Sequence, residues 1–226
     1  MLPQRIKNTI FLVWLFGALL PILPGVHPAC AADEAITARS VAKFAAGVVS
    51  SALVHEGAHA LTAAATNTDL TWKSGSYNQP IAFTENATSD AKGLALYSAG
   101  LLAQLISSEI ILDVDSIDKN DAYVRGMMAW NVLNPIFYAL DYWVFRVSNK
   151  QNGNSYQGDL EGIEHYSNER TAQTFAIGIT AIAAFQGYRF LKTQDWAPDW
   201  LKAAPDNVNV LPLHSGGAML TYEFRF

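Results

Sequence analysis

Four long apolar stretches separated by polar connectors dominate the chain: Ser40 to Ala65, Gly93 to Leu112, Met127 to Phe145 and Thr171 to Leu191. Each approaches the roughly 20 residues a helix needs to cross a bilayer. None is apolar throughout, because Lys43, Gln104, Glu109, Asn131, Asn134, Asp141 and Gln186 interrupt them. In a membrane such polar side chains face a bundle interior or a hydrated cavity; in a soluble domain they sit in a buried core with partners. Long, weakly charged segments recurring at regular spacing favour the membrane. The pattern therefore predicts a mainly α fold, a polytopic membrane helical bundle of about four helices following an N-terminal signal.

The connectors differ in character. Asn67 to Ala91 carries Thr, Asn, Gly and Ser punctuation around alternating patches, Leu70-Thr71-Trp72-Lys73 and Ile81-Ala82-Phe83-Thr84. It predicts a small β element between the first two helices, turning near Gly75 and Asn78-Gln79-Pro80. Asp113 to Tyr123 and Ser148 to Tyr156 read as polar loops. Thr193 to Asn207, with Trp196 and Trp200, reads as an interfacial segment. Val208 to Phe226 alternates around Ser215-Gly216-Gly217 and predicts a C-terminal hairpin. No internal repeat is visible.

The first residues look like a secretory signal or signal anchor. Arg5 and Lys7 form a basic start, Ile10 to Leu23 an apolar run, and Ala29-Cys30-Ala31 a small-x-small cleavage pattern. The expected organisation is a signal over residues 1–31, a helical membrane domain over 32–192 and a Trp/Pro segment with hairpin over 193–226. Cys30 is the single cysteine. Cleavage after Ala31 would leave no thiolate ligand and no disulfide, so any metal must be held by His and carboxylate.

Composition adds two bounds. Of 226 residues, 50% are hydrophobic and 15% charged, against about a quarter charged in soluble domains. A mean hydropathy of +0.11 is modest for a membrane protein, so the membrane expectation rests on individual segments. The net charge of −5, with no Lys/Arg cluster, argues against a nucleic-acid partner.

The candidate chemistry lies in the first apolar stretch. His55-Glu56-Gly57-Ala58-His59 is an H-E-x-x-H motif flanked by Ser51-Ala52-Leu53-Val54 and Ala60-Leu61-Thr62-Ala63. Residues four apart share a helix face, so two imidazoles there can bind one Zn²⁺ while the intervening Glu activates water. Three ionisable groups in an Ala/Val/Leu helix are costly unless something compensates them. The alternative is a polar face whose His and Glu pair with neighbours.

A zinc hydrolase needs a third protein ligand. Asp159, in Tyr156-Gln157-Gly158-Asp159-Leu160, fits either a ligand at a helix mouth or a plain helix cap. Asp141, in Asn134-Pro135-Ile136-Phe137-Tyr138-Ala139-Leu140-Asp141, fits either a ligand or a hydrogen-bonded partner of Asn131, Asn134 or a Tyr. Glu161, Glu164 and His165 are further donors in the same region. Residue chemistry alone leaves Asp159 and Asp141 open.

The order of these parts resembles the M50-type membrane metallopeptidases, the site-2 protease superfamily, and especially its compact M50B-like branch. The stretch His55 to Leu61 resembles the family's H-E-x-G/A-H-A-L helix. Asp69 to Phe83 resembles its short sheet, and Ser98-Ala99-Gly100-Leu101-Leu102-Ala103 its packing helix. Gly158-Asp159 resembles the segment carrying its third zinc ligand; Asn131 to Asp141 is loosely similar to the alternative N-x-x-P…L-D-G segment.

The resemblance covers about Ser40 to Leu191 and implies a zinc-dependent membrane endopeptidase. Zn²⁺ would be held by His55, His59 and Asp159, with Glu56 as general base. The substrate would be a protein or peptide associated with the membrane, and lipid a further partner. An extended substrate could add to the edge of Leu70 to Phe83, and Asn131 or Asn134 could contact substrate as oxyanion donors. The expected location is the membrane of a bacterial-type cell envelope, the inner membrane first; the hairpin ending in Phe226 keeps the outer membrane in view. The alternative is a non-catalytic envelope or membrane scaffold retaining the same fold.

Overall fold

The computed structural model describes residues 37–76, 79–145, 158–203, 208–212 and 218–222. The chain divides into two units, Met1–Ile36 and Thr37–Phe226, and all described residues belong to the second. The expected signal over 1–31, the Ser148 to Tyr156 loop and the Ser215-Gly216-Gly217 turn lie outside the described residues.

Thr37 opens α1 (Ala38–Thr66): its hydroxyl accepts from the Ser40 amide while the Ser40 side chain returns to the Thr37 amide. This reciprocal cap satisfies orphan donors at the helix start. Asn67 closes α1 in the left-handed conformation at φ 49°, which Asn tolerates better than most residues. The hairpin β1 (Leu70–Ser76) and β2 (Gln79–Glu85) follows, antiparallel, with Trp72 opposite Phe83. Ser89 then caps α2 (Asp90–Asp113), and Asp121 caps α3 (Ala122–Leu140). The acidic connector is thus shorter than its sequence pattern implied, because Asp121 accepts from the Tyr123 amide and starts the helix there.

The third apolar stretch is not one regular helix. Pro135 lies within α3, which passes at Asp141–Phe145 into a π-helical turn; a proline removes one ladder bond and crowds the preceding turn. Next come a short helix, α4 (Asp159–His165), the long α5 (Glu169–Lys192) capped by Asn168, and the single turn α6 (Asp199–Lys202). The strands β3 (Val208–Pro212) and β4 (Ala218–Tyr222) pair antiparallel, giving the expected C-terminal hairpin.

The protein is mainly helical with a small two-stranded sheet between its first two helices. α1 packs on α2 and α3, while α2 and α3 also meet α5. Where α1 crosses α3 the backbones touch. A Cβ on Gly47 would lie 2.0 Å from the Tyr123 carbonyl oxygen, and one on Gly126 2.0 Å from that of Phe44. One core cluster joins Leu101, Leu105, Leu160, Ile163, Ala176 and Ile179, and a smaller one Ile111, Met128 and Phe190.

Only one described helix, α2, is long and apolar enough to cross a membrane by length and composition. The other three long helices expected as spans do not reach that apolarity.

Candidate metal centre

The buried stripe of α1 is Gly47, Ser51, His55, His59 and Ala63, every fourth residue, as one helix face requires. It lies antiparallel to a matching stripe on α2. His59 Nδ1 meets the Leu96 carbonyl at 2.8 Å, His55 Nδ1 meets Gln104 Oε1 at 3.1 Å, and Ser51 Oγ accepts from Gln104 Nε2 at 3.1 Å. Between them sits Gly100, whose hypothetical Cβ would fall 2.5 Å from His59 Nε2 and 2.6 Å from His55 Nε2. Only glycine leaves that volume open.

Asp159 reaches the same point from the start of α4. Gly158 precedes it at φ 144°, a conformation that excludes most side chains. The cap position belongs to Gly158, so the Asp159 carboxylate is not spent on the helix end. Its Oδ2 lies 3.2 Å from His55 Nε2 and its Oδ1 3.4 Å from His59 Nε2. All three residues are at most 3% exposed. Burial alone would raise the Asp159 carboxyl, but the facing His59 and His55 rings outweigh it and hold the group below the ordinary carboxylate range.

Proton placement follows from acceptor chemistry. The Leu96 carbonyl only accepts, so His59 Nδ1 carries the hydrogen; Gln104 Oε1 likewise accepts from His55. In its neutral form each ring then points an Nε2 lone pair inward. Burial would lower the His59 imidazole, but the facing Asp159 carboxylate outweighs it and raises it to about 8, so without a metal a proton holds that place near neutral pH. The two Nε2 nitrogens are 3.1 Å apart, and the Asp159 carboxylate faces both of them at 3.2 and 3.4 Å. With both rings neutral, three electron-rich atoms face one another, an arrangement that either a proton on His59 or a metal ion compensates. Two nitrogens on a tetrahedral Zn²⁺ at ordinary bond lengths would be about 3.3 Å apart, close to the observed separation. The residues therefore fit a metal ion.

His55, His59 and Asp159 form the group of metal-ligating side chains found among the described residues, with ligand atoms within 4.8 Å of one another; Asp141 is not part of it. Glu56 is partly exposed and within electrostatic reach of both imidazoles and Asp159. The aromatic walls are Phe83 from β2, 5.2 Å from the His59 ring, and Tyr138 from α3, stacked 5.8 Å from His55.

Asn131 and Asn134 are both engaged with side chains of the neighbouring helices. Asn131 accepts from Ser51 and donates to Ser107, while Asn134 donates to Gln104 at 2.8 Å. Both amides brace the helices behind His55. The contributions of Ser51 and Gly100 are readable in hindsight from their four-residue spacing to His55 and Gln104. Those of the Leu96 carbonyl, Phe83 and Tyr138 have no sequence signal.

No family model, curated protein or solved structure matches this chain. The functional reading therefore rests on the site.

Proposed function

We propose that this chain is a zinc-dependent membrane endopeptidase. The observation that carries the reading is the convergence of two imidazole nitrogens and the Asp159 carboxylate in a buried cluster beside Glu56. His55, His59 and Asp159 would hold the ion. Bound there, Zn²⁺ supplies Lewis acidity, polarising a peptide carbonyl and acidifying water. Glu56 takes a proton from the attacking water and hands it to the leaving amine nitrogen, the two halves of general acid–base catalysis. Phe83 and Tyr138 exclude bulk solvent. The β1–β2 hairpin offers an edge to an extended peptide next to the pocket.

A membrane setting is supported by the distribution of polarity. Leu53, Ile106 and Ile177 are 62%, 61% and 59% exposed, whereas Ser51, Gln104, Ser108, Asn131 and Gln186 are 0% exposed. Exposed apolar side chains on three helices, with amides among the buried residues, are compatible with a bundle solvated by lipid. The 24 residues of α2 extend about 36 Å, enough for the hydrocarbon layer.

Metal analysis of detergent-purified protein is the test. Wild type is expected to hold zinc stoichiometrically, His59→Ala none, and Glu56→Gln as much as wild type with peptide hydrolysis reduced about 10²–10⁴-fold. Wild type without zinc would end the proposal. Full activity in Glu56→Gln would remove Glu56 as the general base, and zinc-loaded wild type without peptide hydrolysis would leave a scaffold.

A further inference from the structure

We propose that Gln104 is a positioning residue that sets which nitrogen of His55 is free to bind metal. The inference rests on the metal reading above and extends it to the residues behind the ligand. Gln104 is wholly buried in the middle of α2, where an amide is expensive unless every polar atom is used. All of it is used. Its Oε1 faces His55 Nδ1 at 3.1 Å and accepts from Asn134 Nδ2 at 2.8 Å, and its Nε2 donates to Ser51 Oγ at 3.1 Å.

The chain of bonds continues and has a direction. Ser51 donates onward to Asn131 Oδ1, an amide oxygen that can only accept, and Asn131 Nδ2 donates to Ser107. Run in reverse, the network would aim the Gln104 amide nitrogen at His55. Nδ1 would become an acceptor, and the ring hydrogen would move to Nε2, facing the Asp159 carboxylate where the metal belongs. The direction of five side-chain hydrogen bonds thus decides whether His55 is a ligand. His59 has no such ambiguity, since a backbone carbonyl fixes it. The two histidines of the motif are held by different means, one by main chain and one by a side-chain relay, and only the second can be retuned by mutation.

The experiment measures two quantities on the full chain in detergent: Zn²⁺ affinity by chelator competition, and the tautomer of each ring by ¹⁵N NMR of metal-free protein with labelled histidine. Gln104→Leu is expected to weaken Zn²⁺ binding 10–100-fold, the range for loss of a ligand's hydrogen-bond partner. It should also move His55 toward the Nε2–H form while His59 keeps Nδ1–H. Gln104→Glu retains an acceptor for His55 and is expected to recover affinity to within a few-fold. An unchanged His55 tautomer in Gln104→Leu overturns the inference, as does equal loosening of both rings, which would mark a merely structural residue. The tautomer measurement needs no metal. A wild type that binds no zinc but shows the His55-specific change would defeat the metal reading and leave the role of Gln104 standing.

Discussion

At the scale of single residues, the site depends as much on what is missing as on what is present. Gly100 carries no side chain where one would meet both Nε2 atoms. Gly100→Ala is therefore expected to abolish Zn²⁺ binding while leaving helix content intact, since alanine favours the helix. Metal content and circular dichroism on the same sample check both halves. Bound zinc in that variant would show that the ligands can retreat. Of the site residues, His55, Glu56 and His59 were legible because their spacing is a helix property. Asp159 was legible only as one of two acids, because nothing local distinguishes a carboxylate that caps a helix from one that faces two imidazoles.

At the scale of elements, α1 and α3 are joined by a glycine crossing and an ion pair. A β-carbon on Gly126 would collide with the Phe44 carbonyl oxygen, a backbone atom that cannot rotate away. Gly126→Ala is expected to lower stability by about 1–3 kcal/mol, the usual cost of overpacking, read as a lower thermal midpoint. An unchanged midpoint would mean that the crossing is looser than described.

Lys43 on α1 pairs with Asp121 at the start of α3, and this hydrogen bond, with one from the Tyr123 amide, holds the Asp121 carboxyl below its ordinary value. A depressed carboxyl contributes stability above its unfolded pKa of about 3.9 and loses it as pH falls through the folded value. Asp121→Asn keeps the cap and removes the charge. It should be less stable than wild type at neutral pH by under about 1 kcal/mol, as for exposed pairs, and the difference should vanish as pH falls through the folded value. A difference persisting at low pH would assign the effect to something other than the pair.

At the scale of the whole molecule, the exposed apolar residues make a claim about solvent. If lipid covers them, wild type stays in the membrane fraction through alkaline extraction. Ile106→Lys, on the outer face of α2, should impair retention, given roughly 2.5–3.5 kcal/mol for a lysine near the centre of a membrane helix. Release of the wild-type chain into the aqueous phase would overturn the membrane setting. The sequence pattern overstated this feature when it counted four spans, because polar residues on the buried faces lower the apolarity of each helix even where its outer face is apolar.

The helices, the two hairpins and the imidazole pair were fixed by the linear order of residues, because helix periodicity, capping and strand alternation act over a few positions. The meeting of Asp159 with the two rings, the hydrogen-bond network through Gln104 and the engagement of Asn131 and Asn134 were decided only when the helices packed. Each of these depends on which atoms of distant segments meet inside a medium too dry to leave a polar group unpaired. Chain order does not specify that meeting.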